Sequence, residues 1–241
     1  MQCRGFLFDL DGTLVDSLPV VERSWCHWAD RHGIDHQEVL NFIHGKQAIT
    51  SLRYFLAGRS EEEIQAEFSY LEYIEATDTD GITALPGARE LLEHLNEAQI
   101  PWAIVTSGSV PVAHARHKAA GLPTPEVFIT AERVKRGKPE PDAFLLGAEL
   151  LGLAPADCVV VEDAAAGVLA GLNAGSHVIA VNVPAGSPRL NEADLVLNTL
   201  TAINVAKAPD GVVTVSPLKC NPIDIAPTLL GLFYGKICLL H

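Results

Sequence analysis

Paired cysteines, basic charge and long uninterrupted apolar runs are what this 241-residue chain has least of. Its five cysteines, Cys3, Cys26, Cys158, Cys220 and Cys238, are odd in number and scattered, with no CxxC and no ligand-like spacing. A disulfide framework and a structural zinc site are therefore not expected, and a reducing cytoplasm is the setting that fits. Seventeen basic against thirty acidic residues give a formal charge of -13. That balance argues against general affinity for nucleic acid or for anionic membrane surfaces. An anionic ligand would need local help from a metal, from helix ends or from a few placed lysines. Arg4 and Asp9 leave no room for the apolar core of a signal peptide, so export is not expected. Near the other end, TLLGLFYGKICLL is too short, and too interrupted by Gly231, Gly235 and Lys236, for a comfortable membrane span. No internal repeat or low-complexity tract is visible.

What is present is enough apolar residue, 48%, to bury a sizeable core as one large domain or as a main domain with a smaller one. Short β-rich apolar runs recur at 3–9, 101–106, 127–130, 158–162, 177–182 and 195–197. Most lack polar alternation, as strands covered on both faces do. Helix-like spacing fills 87–98, 110–120, 140–151 and 164–174, with Gly121, Gly152 and Gly175 near the stops. This alternation predicts an α/β fold with a parallel, doubly wound sheet whose ligand site lies outside the carboxyl ends of the strands.

Residues 17–86 break the rhythm, since no convincing strand appears in them. Leu18, Val21, Trp25, Trp28 and Ala29 follow a helical stripe in which the two tryptophans most simply serve packing. SEEE at 60–63 is a capping box ahead of Ile64, Phe68, Leu71 and Ile74. A helical insert is expected here, joined to the sheet after Asp16 and at the LPGA turn of 85–88, and so placed to move as a lid. The β-like VVTV of 212–215 precedes a segment, 216–241, to which no role is assigned. The expected division is thus 1–16 with 87–215 as the core, 17–86 as the insert and 216–241 as a tail.

The sharpest local signal is FLFDLDGTLVDS at 6–17, where Asp9 and Asp11 follow an apolar run. Like charges at a strand end repel and are costly to desolvate. A calcium EF-hand loop is excluded, because counting from Asp9 puts Gly12 fourth and Val20 twelfth. Two readings remain: a turn at Asp11-Gly12, or a magnesium-assisted phosphoryl-transfer site in which a hard cation offsets the charge. Other segments bear on the choice. IVTSG at 104–108 ends a strand with the hydroxyls of Thr106 and Ser107, which suit phosphate oxygens but also ordinary helix capping. KRGKPEPDAF at 135–144 holds Lys138 in a turn between Gly137 and Pro139, and VVVEDAAAG at 159–167 ends a strand with Glu162 and Asp163. By contrast His114 and His117, with Arg116 and Lys118 beside them, read as a solvated face rather than a zinc pair. Lys135 and Arg136 read equally as surface charges or as positive potential at a site mouth.

Together DLDGT at 9–13, Thr106 in VTSG, Lys138 in GKPEP and Glu162-Asp163 in VEDAAAG resemble the four ordered motifs of the haloacid dehalogenase superfamily. The resemblance spans roughly 3–200 and is strongest to the bacterial hexose- and sugar-phosphate phosphatases of its β-phosphoglucomutase-like branch. It implies a Rossmann-like core with a small α-helical cap after the first strand, a small phosphorylated metabolite as substrate with broad specificity, Mg²⁺ as cofactor and a monomer. It implies Asp9 as nucleophile and Asp11 as general acid and base, with Asp9, Asp163, Glu162 and the backbone carbonyl of Asp11 around the metal. Thr106, Ser107 and Lys138 would hold the phosphoryl oxygens, and His44 and Lys46 of FIHGK would touch the substrate from the cap or stand as exposed polar residues between helices. The mutases of the branch carry a histidine ten residues after the second aspartate; here that position is Val21, which favours hydrolysis over isomerisation. A phosphometabolite-binding protein without turnover is the remaining alternative.

Overall fold

The structure is a computed structural model that describes residues 1–43 and 47–218. Its strands are β1 (Gln2–Cys3), β2 (Gly5–Phe8), β3 (Val15–Asp16), β4 (Thr83–Ala84), β5 (Trp102–Val105), β6 (Val127–Ile129), β7 (Cys158–Glu162), β8 (His177–Val181), β9 (Leu195–Leu197), β10 (Ile203–Lys207) and β11 (Val213–Pro217). Its α-helices are α1 (Leu18–His32), α2 (His36–Ile43), α3 (Ala48–Phe55), α4 (Glu61–Thr77), α5 (Ala88–Glu97), α6 (Val110–Ala120), α7 (Asp142–Leu150) and α8 (Ala165–Asn173).

Six strands form the main sheet in the order β6-β5-β2-β7-β8-β9, every pair parallel. The pleat sends alternate side chains to opposite faces. Phe6, Phe8, Trp102, Ile104, Val159 and Val161 enter the cluster shared with α5, while Leu7, Ala103, Val105 and Val160 enter the one shared with α7 and α8. Both faces are buried, which is why these strands read as unbroken apolar runs. The doubly wound parallel sheet expected from the sequence is present. Because β5 and β6 lie on one side of β2 and β7 to β9 on the other, the sheet changes direction at β2. In sheets of this kind the ligand crevice is expected at the carboxyl ends beside such a switch.

The helices α1 to α4 build an apolar cluster of their own around Trp25, Trp28, Val39, Leu52 and Leu71. Trp25 and Trp28 meet edge to face with ring centroids 5.5 Å apart, so they do serve packing. Leu18 departs from the expected stripe: it is 52% exposed, and Val20 takes the buried position. The capping box at α4 is complete, with Ser60 Oγ accepting from the Glu63 N–H and the Glu63 carboxylate accepting from the Ser60 N–H.

Several expectations need correction. The run 3–9 is not one strand: exposed Arg4, whose N–H is taken by the Asp157 carbonyl, separates β1 from β2. β1 instead pairs antiparallel with β11, beside β10, in a three-stranded sheet. The interval 17–86 does contain a strand, since Thr83–Ala84 pairs antiparallel with Val15–Asp16 where the helical segment leaves and rejoins the core. β10 was not expected from the sequence, because only Ile203 and Val205 of INVAK are buried while Asn204, Ala206 and Lys207 are exposed. β11 runs through Pro217, so Ser216 and Pro217, expected to open a tail, are paired with Asn204 and Ile203. Residues 219–241 lie outside the described residues.

Candidate active site

Asp9 follows β2 directly, and its N–H still donates to the Val161 carbonyl at 3.0 Å, so the carboxylate is delivered to the crevice by the strand itself. Asp9 is 7% exposed. The chain then turns at Gly12, whose φ of 84° is the left-handed conformation that favours glycine. A Cβ there would run into the carboxylate of Asp163, so Gly12 also makes room for the last acid of the site. Thr13 donates its hydroxyl to Asp163 Oδ1 at 3.2 Å. That contact was not anticipated, although Thr13 closes the DLDGT motif.

Lys138 joins the motifs. Its Nζ donates to Asp9 Oδ1 at 2.5 Å, to Glu162 Oε1 at 2.5 Å and to the Val105 carbonyl at 3.0 Å, which uses all three ammonium donors. The other Glu162 oxygen accepts from the N–H groups of Asp163 and Ala164, both at 3.1 Å, at the entrance to α8. Gly167, one turn into α8, leaves space for Glu162, which any Cβ at that position would invade. Burial opposes the Lys138 charge, yet Asp9 and Glu162 outweigh it and hold the ammonium above its ordinary pKa. Burial, then repulsion from Glu162, raises Asp9 well above the usual carboxylate range despite Lys138. The same two causes push Asp163 up to about 7.

Asp11 answers the like-charge problem differently. Arg116 of α6 donates from Nη1 to Asp11 Oδ1 at 3.0 Å. The expectation of a solvated face at 114–118 is therefore wrong for Arg116 and His117, which are 5% and 7% exposed. They fall on the inward stripe of α6 with Val112, Ala113 and Ala120, a 3.6-residue periodicity that identifies them once the helix is phased by its alanines. His117 bonds the Pro123 carbonyl at 2.9 Å. Glu75, buried on the inward side of α4, lies 3.5 Å from Arg116 Nη2. Burial, only partly offset by Arg116, pushes Glu75 up to about 7.

Thr106 is buried at the end of β5, and its Oγ1 accepts from the Gly108 N–H at 3.0 Å. An added Cβ on Gly108 would stand 3.4 Å from that hydroxyl and 3.9 Å from Asp11 Oδ2, which places Thr106 and Asp11 around the same glycine. Ser107 is exposed. Arg136 pairs with Asp142 at 2.9 Å and Glu140 at 3.6 Å on the surface. His44 and Lys46 lie outside the described residues. Gln47, just before α3, approaches Gly137 so closely that a Cβ there would be 2.5 Å from its amide nitrogen, bringing the helical segment next to the Lys138 turn.

Asp9, Glu162 and Asp163 present carboxylate oxygens that all lie within 4.8 Å of one another. An all-oxygen, anionic set suits a hard divalent cation such as Mg²⁺. Three carboxylates against the single ammonium of Lys138 leave the cluster with excess negative charge, so the residues fit such an ion. No α-helix among the described residues is long and apolar enough to cross a membrane.

Comparison with known proteins bears on the chain as a whole. It is 75% identical to hexitol phosphatase A of Escherichia coli (strain K12) over 211 residues, 88% of this chain and 98% of that protein. It is 30% identical to β-phosphoglucomutase of Bacillus subtilis (strain 168) over 205 residues, 80% of this chain and 88% of that one. A crystal structure of β-phosphoglucomutase from Clostridium difficile matches with a TM-score of 0.72 at 25% identity, covering 82% of this chain and 92% of that one. The profile of haloacid dehalogenase-like hydrolases matches residues 3–175, which contain every motif that meets in the crevice. The chain belongs to the haloacid dehalogenase-like hydrolase family.

Proposed function

We propose that this protein is a Mg²⁺-dependent sugar-phosphate phosphatase that works through an aspartyl phosphate on Asp9. It is a phosphoric monoester hydrolase, and the 75% identity to a hexitol phosphatase supports small phosphorylated sugars and polyols as its substrates. The observation that carries the mechanism is the meeting of Asp9, Lys138, Glu162 and Asp163 in one crevice, with Asp11 two residues from the nucleophile.

An Asp9 oxygen attacks phosphorus as the ester P–O bond breaks, and Asp11 gives its proton to the departing alkoxide. Asp11 then takes a proton from water, whose oxygen attacks the aspartyl phosphate and frees Asp9 and inorganic phosphate. Lys138 works against the burial that raises Asp9 and reduces repulsion toward the incoming dianion. Both Glu162 oxygens are engaged, by Lys138 and by the start of α8, so Glu162 orients the lysine and leaves Asp9 and Asp163 as the carboxylates that would hold Mg²⁺. When bound, that ion supplies positive charge to phosphoryl oxygens. Thr106 and Ser107 offer hydroxyls to those oxygens at the end of β5, and α1 to α4 act as a cap over the crevice. The unpaired thiols of Cys3, Cys26 and Cys158 suit the reducing cytoplasm.

Similarity to β-phosphoglucomutase favours one other reading, phosphoryl return to sugar. Val21 stands against it: at the position where those mutases carry a histidine, this chain has an apolar side chain packed on the cap cluster. Adding a sugar bisphosphate to the assay separates the two, since isomer formation outrunning phosphate release would establish the mutase. The central test is Asp9→Asn. Phosphate release from a hexitol phosphate is expected to fall by roughly a thousandfold or more with the fold intact by circular dichroism, and retained turnover would remove Asp9 from its role.

A further inference from the structure

Arg116 is not among the four motifs, and nothing in the proposed reaction requires it. Its side chain is only 6% exposed, and it sits between Asp11 of the core and Glu75 of α4. A guanidinium stays charged at any physiological pH, so its burial is tolerated only with anionic partners. Here one bond is made, Nη1 to Asp11 Oδ1 at 3.0 Å. Nη2 faces Glu75 Oε1 at 3.5 Å without hydrogen-bond geometry, and Nε has no hydrogen-bond partner either. Two buried donors of a charged fork are thus unsatisfied beside a buried carboxylate. A residue serving packing alone would gain from having neither the charge nor the empty donors.

We propose that Arg116 is a positioning residue, one that fixes the Asp11 carboxylate and couples it through Glu75 to the cap helix α4. This rests on the reading of Asp11 as general acid and base. The three groups come from three places: the loop after β2, the core helix α6 and the helical segment between β3 and β4. α4 packs along α6, so a small approach of the two helices converts the 3.5 Å contact into a hydrogen bond and gives Nη2 its partner. Asp11 is then held from the side by a group whose own position reports where the cap is. A planar fork can reach two carboxylates with two nitrogens at fixed separation; a lysine ammonium cannot hold the same geometry.

The consequence is specific to proton transfer. An alkoxide leaving group needs the proton of Asp11, whereas p-nitrophenolate departs without one. Rapid-mixing measurements of the first phosphoryl transfer, with sorbitol 6-phosphate and with p-nitrophenyl phosphate, therefore read the positioning directly. In Arg116→Gln the alkyl ester should slow by roughly thirtyfold or more while the nitrophenyl burst stays within about threefold of wild type. Glu75→Gln, which keeps the Asp11 bond but weakens the tie to α4, should show the same selectivity at roughly fivefold. Equal losses on both esters, or no loss, would overturn the proposal. If Arg116→Gln does not fold, Arg116→Lys takes its place with the same two outcomes. Asp11→Asn, run alongside, separates the two ideas. Leaving-group selectivity in Asp11→Asn without any in the Arg116 and Glu75 variants defeats only the positioning role, while its absence from Asp11→Asn defeats the acid-base reading itself.

Discussion

Lys138 holds two carboxylates and a backbone carbonyl with one ammonium, and its neighbours are as buried as it is. The side chains of Lys138, Asp9 and Glu162 are 6%, 10% and 1% exposed, so solvent does little to screen their interaction. Removing one partner of such a group leaves the others as uncompensated buried charges, a loss of about 3–5 kcal/mol. Lys138→Met is therefore expected to lower the unfolding free energy by that order, measured by urea denaturation, and to abolish phosphate release. It also tests the electrostatic account, because Asp9 in the variant should take up a proton more readily than in the wild type. Asp9 and the acid pair 162–163 were legible in the sequence because each ends an apolar run, and Lys138, in a turn after polar residues, was legible only through the resemblance of its GKPEP motif. Thr13 and Arg116 were not legible in their roles. Thr13 sits inside a motif but acts on a residue 150 positions away. Arg116 was hidden by the habit of placing charge in solvent, when only a phased helix reveals that it points inward.

At the scale of elements, the seam between α4 and α6 decides how the helical segment meets the core. Ser60 caps α4 through a reciprocal pair with Glu63, and loss of such a cap costs about 1 kcal/mol. Ser60→Ala should lower stability by that amount in thermal unfolding and leave the chemistry of Asp9 untouched, since the cap lies at the far end of α4 from Glu75. Glu75 makes the seam pH-sensitive. It faces Arg116, Asp11 and Glu72, and its folded pKa of about 7 exceeds the ordinary 4.5. Below the lower value both states carry the proton and nothing is lost. As pH rises toward the upper value the unfolded chain releases that proton first, so the folded state binds more protons and stability falls. Denaturation curves between pH 5 and 8 should show this decline in the wild type, with Glu75 contributing on the order of 3 kcal/mol at most, and a shallower decline in Glu75→Gln, where Asp9 and Asp163, also raised by burial, still contribute. The same contrast explains which elements the sequence disclosed. Buried parallel strands are continuous apolar runs, and helices α5 to α8 alternate with them. The two-residue strands β3 and β4 and the half-exposed β10 carry too little burial to leave a pattern.

For the whole molecule, the sheet brings three carboxylates and one ammonium together at the switch beside β2, so the folded state bears an electrostatic cost that the unfolded chain does not. Burial and mutual repulsion hold Asp9 well above the carboxylate range and Asp163 at about 7. A divalent cation that binds only the assembled site relieves that cost, and it stabilises the fold by RT ln(1 + [L]/Kd), about 2.7 kcal/mol at a hundredfold excess over Kd. In a chain of this size that amounts to a rise in Tm of roughly 5–10 °C. Sodium chloride at equal ionic strength should give little of it, because screening acts on the diffuse surface charge rather than on a buried crevice. Asp163→Asn sharpens the expectation. It removes one of the repelling charges while keeping an oxygen for the Thr13 hydroxyl, so in chelator the variant should melt at or above the wild type. With Mg²⁺ added the order should invert, the wild type rising and the variant staying where it was. A variant that melts lower than wild type in chelator, or that gains the same shift with Mg²⁺, would mean that the carboxylates at 9 and 163 are balanced within the protein and do not form the cation site.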